Sequence, residues 1–398
     1  MRLLTTLVVG LLCAISSIQG QEASTKFGKG ILNVVAKDSS WSVKFAPRMQ
    51  FLSTSSWDID NGDIGKLESN FLVRRARLKF NGFAYSPKLQ YKIELGLSNR
   101  DLSGGSEFTG DTPRYILDAV VKWNFYENFV LWVGQTKLPG NRERVISSGN
   151  MQLVDRSRLN SRFNIDRDMG LQLRHHFNIS DNFIIREAIA VSQGEGRNVT
   201  TGNLGGHQYT AKVELLPFGK FKGKGDYKGG DLKREETPKL AFAAAYDYNS
   251  NAVKTRSNMG DYMRTQTGFY ETDIQTVFVD AMFKYKGFSF MGEFADRDAD
   301  EPVAVDENGT ETGDVVQVGN ALNMQAGYLL KNNWEIAGRY TSVNFDKEVN
   351  KLIEEQYTLG ISKYIAGHNL KVQSDLSYTT IGGKGNGLLF RIQMDIHL

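Results

Sequence analysis

The stretch GLLFRIQMDIHL, residues 387–398, puts an apolar side chain at every second position. Leu388, Phe390, Ile392, Met394, Ile396 and Leu398 share one face, and Arg391, Gln393, Asp395 and His397 share the other. A period of two over this length is a β-strand with one apolar and one wet side. A transmembrane β-strand of about 9–11 residues has the same dimensions. One such strand also suits a soluble sandwich; its recurrence along the chain decides the class.

Upstream, the same alternation is expected over 42–51, 74–80, 89–97, 115–125, 129–137, 169–177, 183–192 and 208–216. It continues over 239–248, 275–286, 288–297, 319–330, 333–343, 355–364 and 370–379, which with the final run makes sixteen strands. An even number is expected of a bacterial outer-membrane barrel. The strand at 183–192 is the least regular, because Arg186 and Glu187 are adjacent and one must face the apolar side. Connections alternate in length. Short ones fall at 126–128, 178–182, 286–287, 330–333 and 366–369, and long ones at 52–70, 98–114, 138–168, 193–207, 249–274, 298–318, 344–354 and 380–387. Short turns on one side and long loops on the other are what such a barrel needs. Residues 217–238 break the parity, which reads as a long periplasmic turn or as a miscounted strand. Tyr115, Trp123, Phe125, Tyr246, Tyr248, Tyr285 and Tyr328 lie near strand ends on the apolar face, where interfacial aromatic girdles sit.

Residues 1–20 have a basic start, an apolar middle of modest length and small residues before Gly20, as a secretory signal peptide does. The apolar run is short for a membrane anchor of about 20 residues. The single cysteine, Cys13, would leave with it, so the mature part (21–398) would have no disulfide or thiolate chemistry. Net charge is +3, too near neutral for a nucleic-acid binder working through a broad basic face. A bilayer is spanned only by helices or closed barrels. The fold class is therefore all-β: a 16-stranded antiparallel transmembrane barrel, placed in a bacterial outer membrane among its lipids.

On the polar faces, the first eight strands carry Lys44, Arg48, Arg75, Arg77, Lys79, Lys92, Lys122, Arg174 and Lys212 against Glu94, Asp118 and Glu214. The last eight carry Lys284, Arg339, Lys371 and Arg391 against Asp247, Asp280, Glu293, Glu335, Asp375 and Asp395. A basic wall facing a mildly acidic one would set up a transverse field and favour anions. Loop 138–168 concentrates Arg142, Arg144, Arg156, Arg158, Arg162 and Arg167 among Glu143, Asp155, Asp166 and Asp168. A loop so rich in charge pairs can fold inward and narrow a pore; the alternative is a solvated external loop.

LVRRARLKFNG (72–82), VGQTKLPG (133–140), VDRS (154–157) and DRDMGLQL (166–173) resemble the phosphate-selective porin O and P family. The resemblance implies a sixteen-stranded, usually trimeric porin that passes anions or small solutes through a lumen lined with arginine and lysine. By motif position, Arg75 and Arg77 match the basic second strand, and Lys137 matches the lysine before the constriction loop. The chain departs from the pattern in its many lumen carboxylates and in ending on Leu398 rather than an aromatic. That favours passive diffusion of small hydrophilic solutes with a modest preference for anions such as phosphate. The residues expected to line the pore and meet anions are Arg75, Arg77, Lys79, Lys92, Lys122, Lys137, Arg142, Arg144, Arg156 and Arg158. A non-conducting structural or adhesive barrel is the competing class. An enzyme is not expected: no GxSxG elbow or P-loop is present, and His175, His176, His207, His368 and His397 lack metal-ligand spacing. No cofactor or metal is expected.

Overall fold

The computed structural model describes residues 27–398, so the expected signal peptide at 1–20 lies outside the described residues. The chain forms a closed barrel of sixteen antiparallel strands. They are β1 Arg48–Asp60, β2 Glu68–Ala84, β3 Ser86–Gly96, β4 Ile116–Tyr126, β5 Phe129–Lys137, β6 Arg167–Ser180, β7 Phe183–Ser192 and β8 Gln208–Leu216. The ring continues with β9 Lys239–Ala252, β10 Thr272–Tyr285, β11 Phe288–Ala299, β12 Gly319–Leu329, β13 Trp334–Phe345, β14 Glu354–Tyr364, β15 Leu370–Ile381 and β16 Lys384–His397. Each pairs with its neighbours in sequence, and β16 closes on β1, with Met394 opposite Phe51 and Asp395 opposite Gln50.

The pattern is inside-out relative to a soluble protein. On β16, Phe390, Ile392 and Met394 are 37–44% exposed, while Arg391, Gln393 and Asp395 are at most 9% exposed. Charged residues are rarely this buried unless paired, and here they face an interior filled with partners. Trp123, Phe125, Tyr246 and Tyr328 lie outward and exposed, as the girdle reading expects.

Four departures from the alternation have local causes. The strand expected at 42–51 is broken at Pro47, which has no N–H to give the ladder. Its first part, Ser42–Phe45, pairs with β2 at Lys44–Asn81, beyond the last β16 partner, Arg48. Lys44 therefore sits on an extension past the barrel wall. The loop expected at 52–70 shrinks to 61–67, because β1 and β2 continue as a polar hairpin that lacks a one-sided apolar pattern. The loop expected at 380–387 shrinks to Gly382 and Gly383, both at positive φ, which suits glycine. At Gln50–Phe51 the register with β2 slips by one. This β-bulge turns two successive residues, Arg74 and Arg75, into the interior, at 7% and 4% exposure. The Arg186–Glu187 ambiguity also resolves. Arg186 points inward to Glu214 and Asp226, while Glu187 points outward to His175 Nδ1 at 3.1 Å.

Candidate functional site

Two segments fold into the barrel from opposite ends. Loop 138–168 enters from the long-loop side and carries the short helices Arg142–Val145 and Arg158–Phe163. The Ser157 hydroxyl caps the second helix by accepting from Asn160 N at 3.2 Å. Residues 217–238 enter from the short-turn side and meet the loop, where Gly229 N donates to Asn150 O at 2.6 Å. Contact is close enough that a Cβ on Gly229 would come within 2.4 Å of Gln152 N.

The loop seats against the acidic wall through an apolar half and a charged half. Leu138, Leu159, Phe163 and Ile165 pack on inward Ala190, Ala245, Phe278, Ala295, Ala321 and Val343. Small residues on an inner face make room for an inserted segment, and Ala241, Ala243 and Ala245 on one face of β9 were a legible sign of it. The charged half is a series of buried contacts. Arg142 donates to Glu214 at 2.6 Å, to Asp280 at 2.5 Å and to Asp226 O at 3.0 Å. Lys212 bridges Gly140 O at 2.9 Å and Asp280 at 3.0 Å. Gln152 donates to Glu335 at 2.8 Å, Val154 N to Asp375 at 3.0 Å, and Arg158 and Arg162 both pair with Glu354. At the barrel seam, Arg48 of β1 holds Asp395 of β16 at 2.9 and 2.7 Å and spends another N–H on Ser148 of the loop at 2.7 Å.

The expected field between opposite walls is therefore replaced. The loop covers most of the acidic wall, and the open space lies between the loop and the basic wall of β2–β6. This cavity, of about 840 Å³, is lined by sixteen Lys and Arg against six Asp and Glu. A second cavity, of about 530 Å³, continues toward the short-turn end and shares Trp132, Val145 and Arg174 with the first.

Arg75, Arg77, Lys92, Lys122, Lys137, Arg144 and Arg156 all line the first cavity. Several are engaged there: Arg77 with Glu94 (3.1 Å) and Asp101 (3.2 Å), Lys92 with Glu94 (2.7 Å) and Asp118 (2.8 Å), and Arg144 with Asp166. Lys137 gives its ammonium to the carbonyls of Arg144, Val145 and Ile146 at 2.6–3.2 Å, so it fixes the turn of the loop. Arg156 holds Glu143 O and Ile146 O at 2.9 and 2.8 Å. Arg142 is a correction. It is 0% exposed and its guanidinium is spent on the far wall, so it clamps the loop and does not face the channel. Arg158 and Lys79 also fall outside the cavity lining. Period-two reading missed Arg74, which the bulge brings to Asp155 at 2.7 Å. It also missed Arg100, Arg114, Arg197 and Arg256, loop residues that crown the same cavity. Among the described residues no His, Cys, Asp or Glu group is placed to hold a metal.

Burial disfavours charge on Asp155, but the guanidiniums of Arg74 and Arg75 outweigh it and hold its carboxyl well below the ordinary value. A depressed folded pKa adds stability that is complete above the unfolded value and is lost only as pH falls through the lower folded one. The Asp155 anchor should thus survive mild acid. An Asp155→Asn channel should show more current flicker than the parent equally at pH 7 and at about pH 4.5. A difference already lost at pH 4.5 would contradict the assignment.

A family model described as phosphate-selective porin O and P matches residues 53–381. A protein of Aquifex aeolicus is 23% identical over 349 residues, covering 79% of this chain and 78% of its own length. The fold is similar to an anion-selective porin from Comamonas acidovorans (TM-score 0.52, 12% identity, 90% of this chain and 100% of that one). It is also similar to the trimer form of the outer-membrane protein OmpT of Vibrio cholerae (TM-score 0.52, 11% identity, 90% and 100%).

Proposed function

Since the chain belongs to the phosphate-selective porin O and P family and is an outer-membrane porin channel, we propose that it passes small hydrophilic solutes passively with a preference for anions, phosphate among them. One observation carries this reading: the open cavity has sixteen cationic side chains against six anionic ones. Like-signed charge in a cleft with low-dielectric walls raises the local concentration of the opposite ion. The loop strengthens the effect by turning the carboxylates of the far wall toward itself. Arg75, Arg77, Lys92 and Lys122, with Arg74 beside them, are the residues proposed to meet the anion. Lys137 and Arg142 are proposed to hold the loop in place. A homotrimer is the proposed assembly, supported by the trimer form of the Vibrio cholerae protein of similar fold.

Zero-current potentials in a KCl gradient across a planar bilayer test the selectivity. The unmodified channel should favour chloride. Arg75→Ala with Arg77→Ala should move the potential toward cations without abolishing conductance. The shift should be larger at low salt, since the Debye length is ~30 Å at 0.01 M and ~3 Å at 1 M. Phosphate should lower the chloride current. An unmoved potential in the double variant would remove these arginines from the selectivity zone.

A further inference from the structure

The two cavities join at a place with its own chemistry. Lys122 on β4 is the cross-strand partner of Trp132 on β5, and Trp132 is the partner of Gln172 on β6, two residues before Arg174. All three side chains fall on the inner face, as cross-strand and diagonal neighbours do. Lys122 Nζ lies 3.7 Å from the centre of the Trp132 ring, and the Arg174 guanidinium carbon lies 4.1 Å from it. Among the described residues neither cation is held by a carboxylate: Lys122 and Arg174 meet the ring instead. Asp118, further along β4, is taken by Lys92 at 2.8 Å and Arg167 at 3.2 Å. Arg174 donates instead to the neutral Gln172 Oε1, at 3.2 and 2.8 Å. An indole between an ammonium and a guanidinium keeps both in place, because the ring face attracts cations.

Beyond this junction the wall changes character. The second cavity has Val130, Pro139, Val145, Phe221 and Tyr227 on its wall beside five Lys and Arg and three Asp and Glu, whereas the first sets sixteen Lys and Arg and six Asp and Glu against only four apolar side chains, Leu117, Trp132, Val145 and Met259. A hydrated inorganic anion meets the two cations at Trp132 and then a wall where apolar side chains interrupt the charged ones and offer less to replace its water. An anion with a flat apolar body has a partner for each half. Its carboxylate can pass from Lys122 to Arg174, and its ring can meet the edge of Trp132 and then lie against Phe221 and Tyr227. Arginine's fork suits a carboxylate in two-point contact. We infer that Lys122, Trp132 and Arg174 form a recognition gate for small aromatic carboxylates, a substrate class within the anion-passing reading on which this inference rests.

The test uses the full-length protein in a planar bilayer carrying chloride current, with sodium benzoate or sodium acetate added. The two blockers carry the same charge and differ by a ring. Benzoate should reach half-block at about tenfold lower concentration than acetate, the order of effect of one desolvated aromatic contact. Trp132→Ala should bring benzoate to the acetate level and leave the chloride preference in place, and Trp132→Phe should restore part of the difference. Lys122→Gln with Arg174→Gln should weaken block by both anions. Equal block by benzoate and acetate, with chloride still favoured, overturns the gate and leaves the anion-porin reading standing. No chloride preference in the unmodified protein overturns both. If Trp132→Ala does not fold, judged by loss of heat-modifiable migration in detergent gels, the benzoate–acetate comparison on the unmodified channel decides the question.

Discussion

Arg142→Ala should widen the channel and weaken its anion preference at once. Arg142 is fully buried between Glu214 and Asp280; removing one partner of a buried ion pair costs about 3–5 kcal/mol when the other is stranded, and less here because Arg186 and Lys212 still hold those two carboxylates. Water and counter-ions would enter to solvate those carboxylates, and the loop would lose its hold on β8 and β10. Single-channel conductance should rise, and the zero-current potential should move toward cations as two acidic side chains join the open lumen. An arginine that served as an anion site would behave oppositely on the first count, with current falling on its removal. A channel unchanged in both readings would show that the clamp is dispensable.

Phe163→Ala should loosen the same loop without changing any charge. Phe163 is 0% exposed and packs with Leu159, Ile165 and Phe278 inside the barrel. Truncating a buried phenylalanine costs about 3–5 kcal/mol in transfer and cavity terms. The expected result is a noisier, larger conductance with the zero-current potential close to that of the parent. Together the two variants separate aperture from charge: both enlarge the pore, and only Arg142→Ala alters selectivity. A strong selectivity change in Phe163→Ala would mean that the loop's position, more than the bared carboxylates, sets the ion preference.

The fold was legible because a barrel wall writes its inner and outer faces into alternate positions, as residues 388–398 do. Loop parity gave the sidedness and the count. What period-two reading cannot see is an inserted residue. At Arg74–Arg75 the bulge puts consecutive side chains on one face, and strict alternation assigns only one of them to the lumen. Nor can it find strand where both faces are wet, as in the hairpin beyond Ser53. The site was half legible. The arginine density of 138–168 allowed an inward loop as well as a solvated external one, and which arginines meet the channel depends on partners far away in sequence. Arg142 finds Asp280, 138 positions distant, while Arg144 and Arg156 face the open side. Residues 217–238 broke the parity for a reason the sequence did not show: they fill the lumen from below and rest on the loop.

The contact among Arg48, Asp395 and Ser148 bears on how such a molecule comes to be made. The wall is complete only when strands 347 positions apart are stitched together, and the residue that makes the stitch also grips the internal loop. A half-zipped cylinder lacks Asp395 as a partner for Arg48, and so lacks one of the holds that position the loop. Closing the cylinder thereby completes one of the holds on its own aperture, so the seam is part of the filter as well as of the wall.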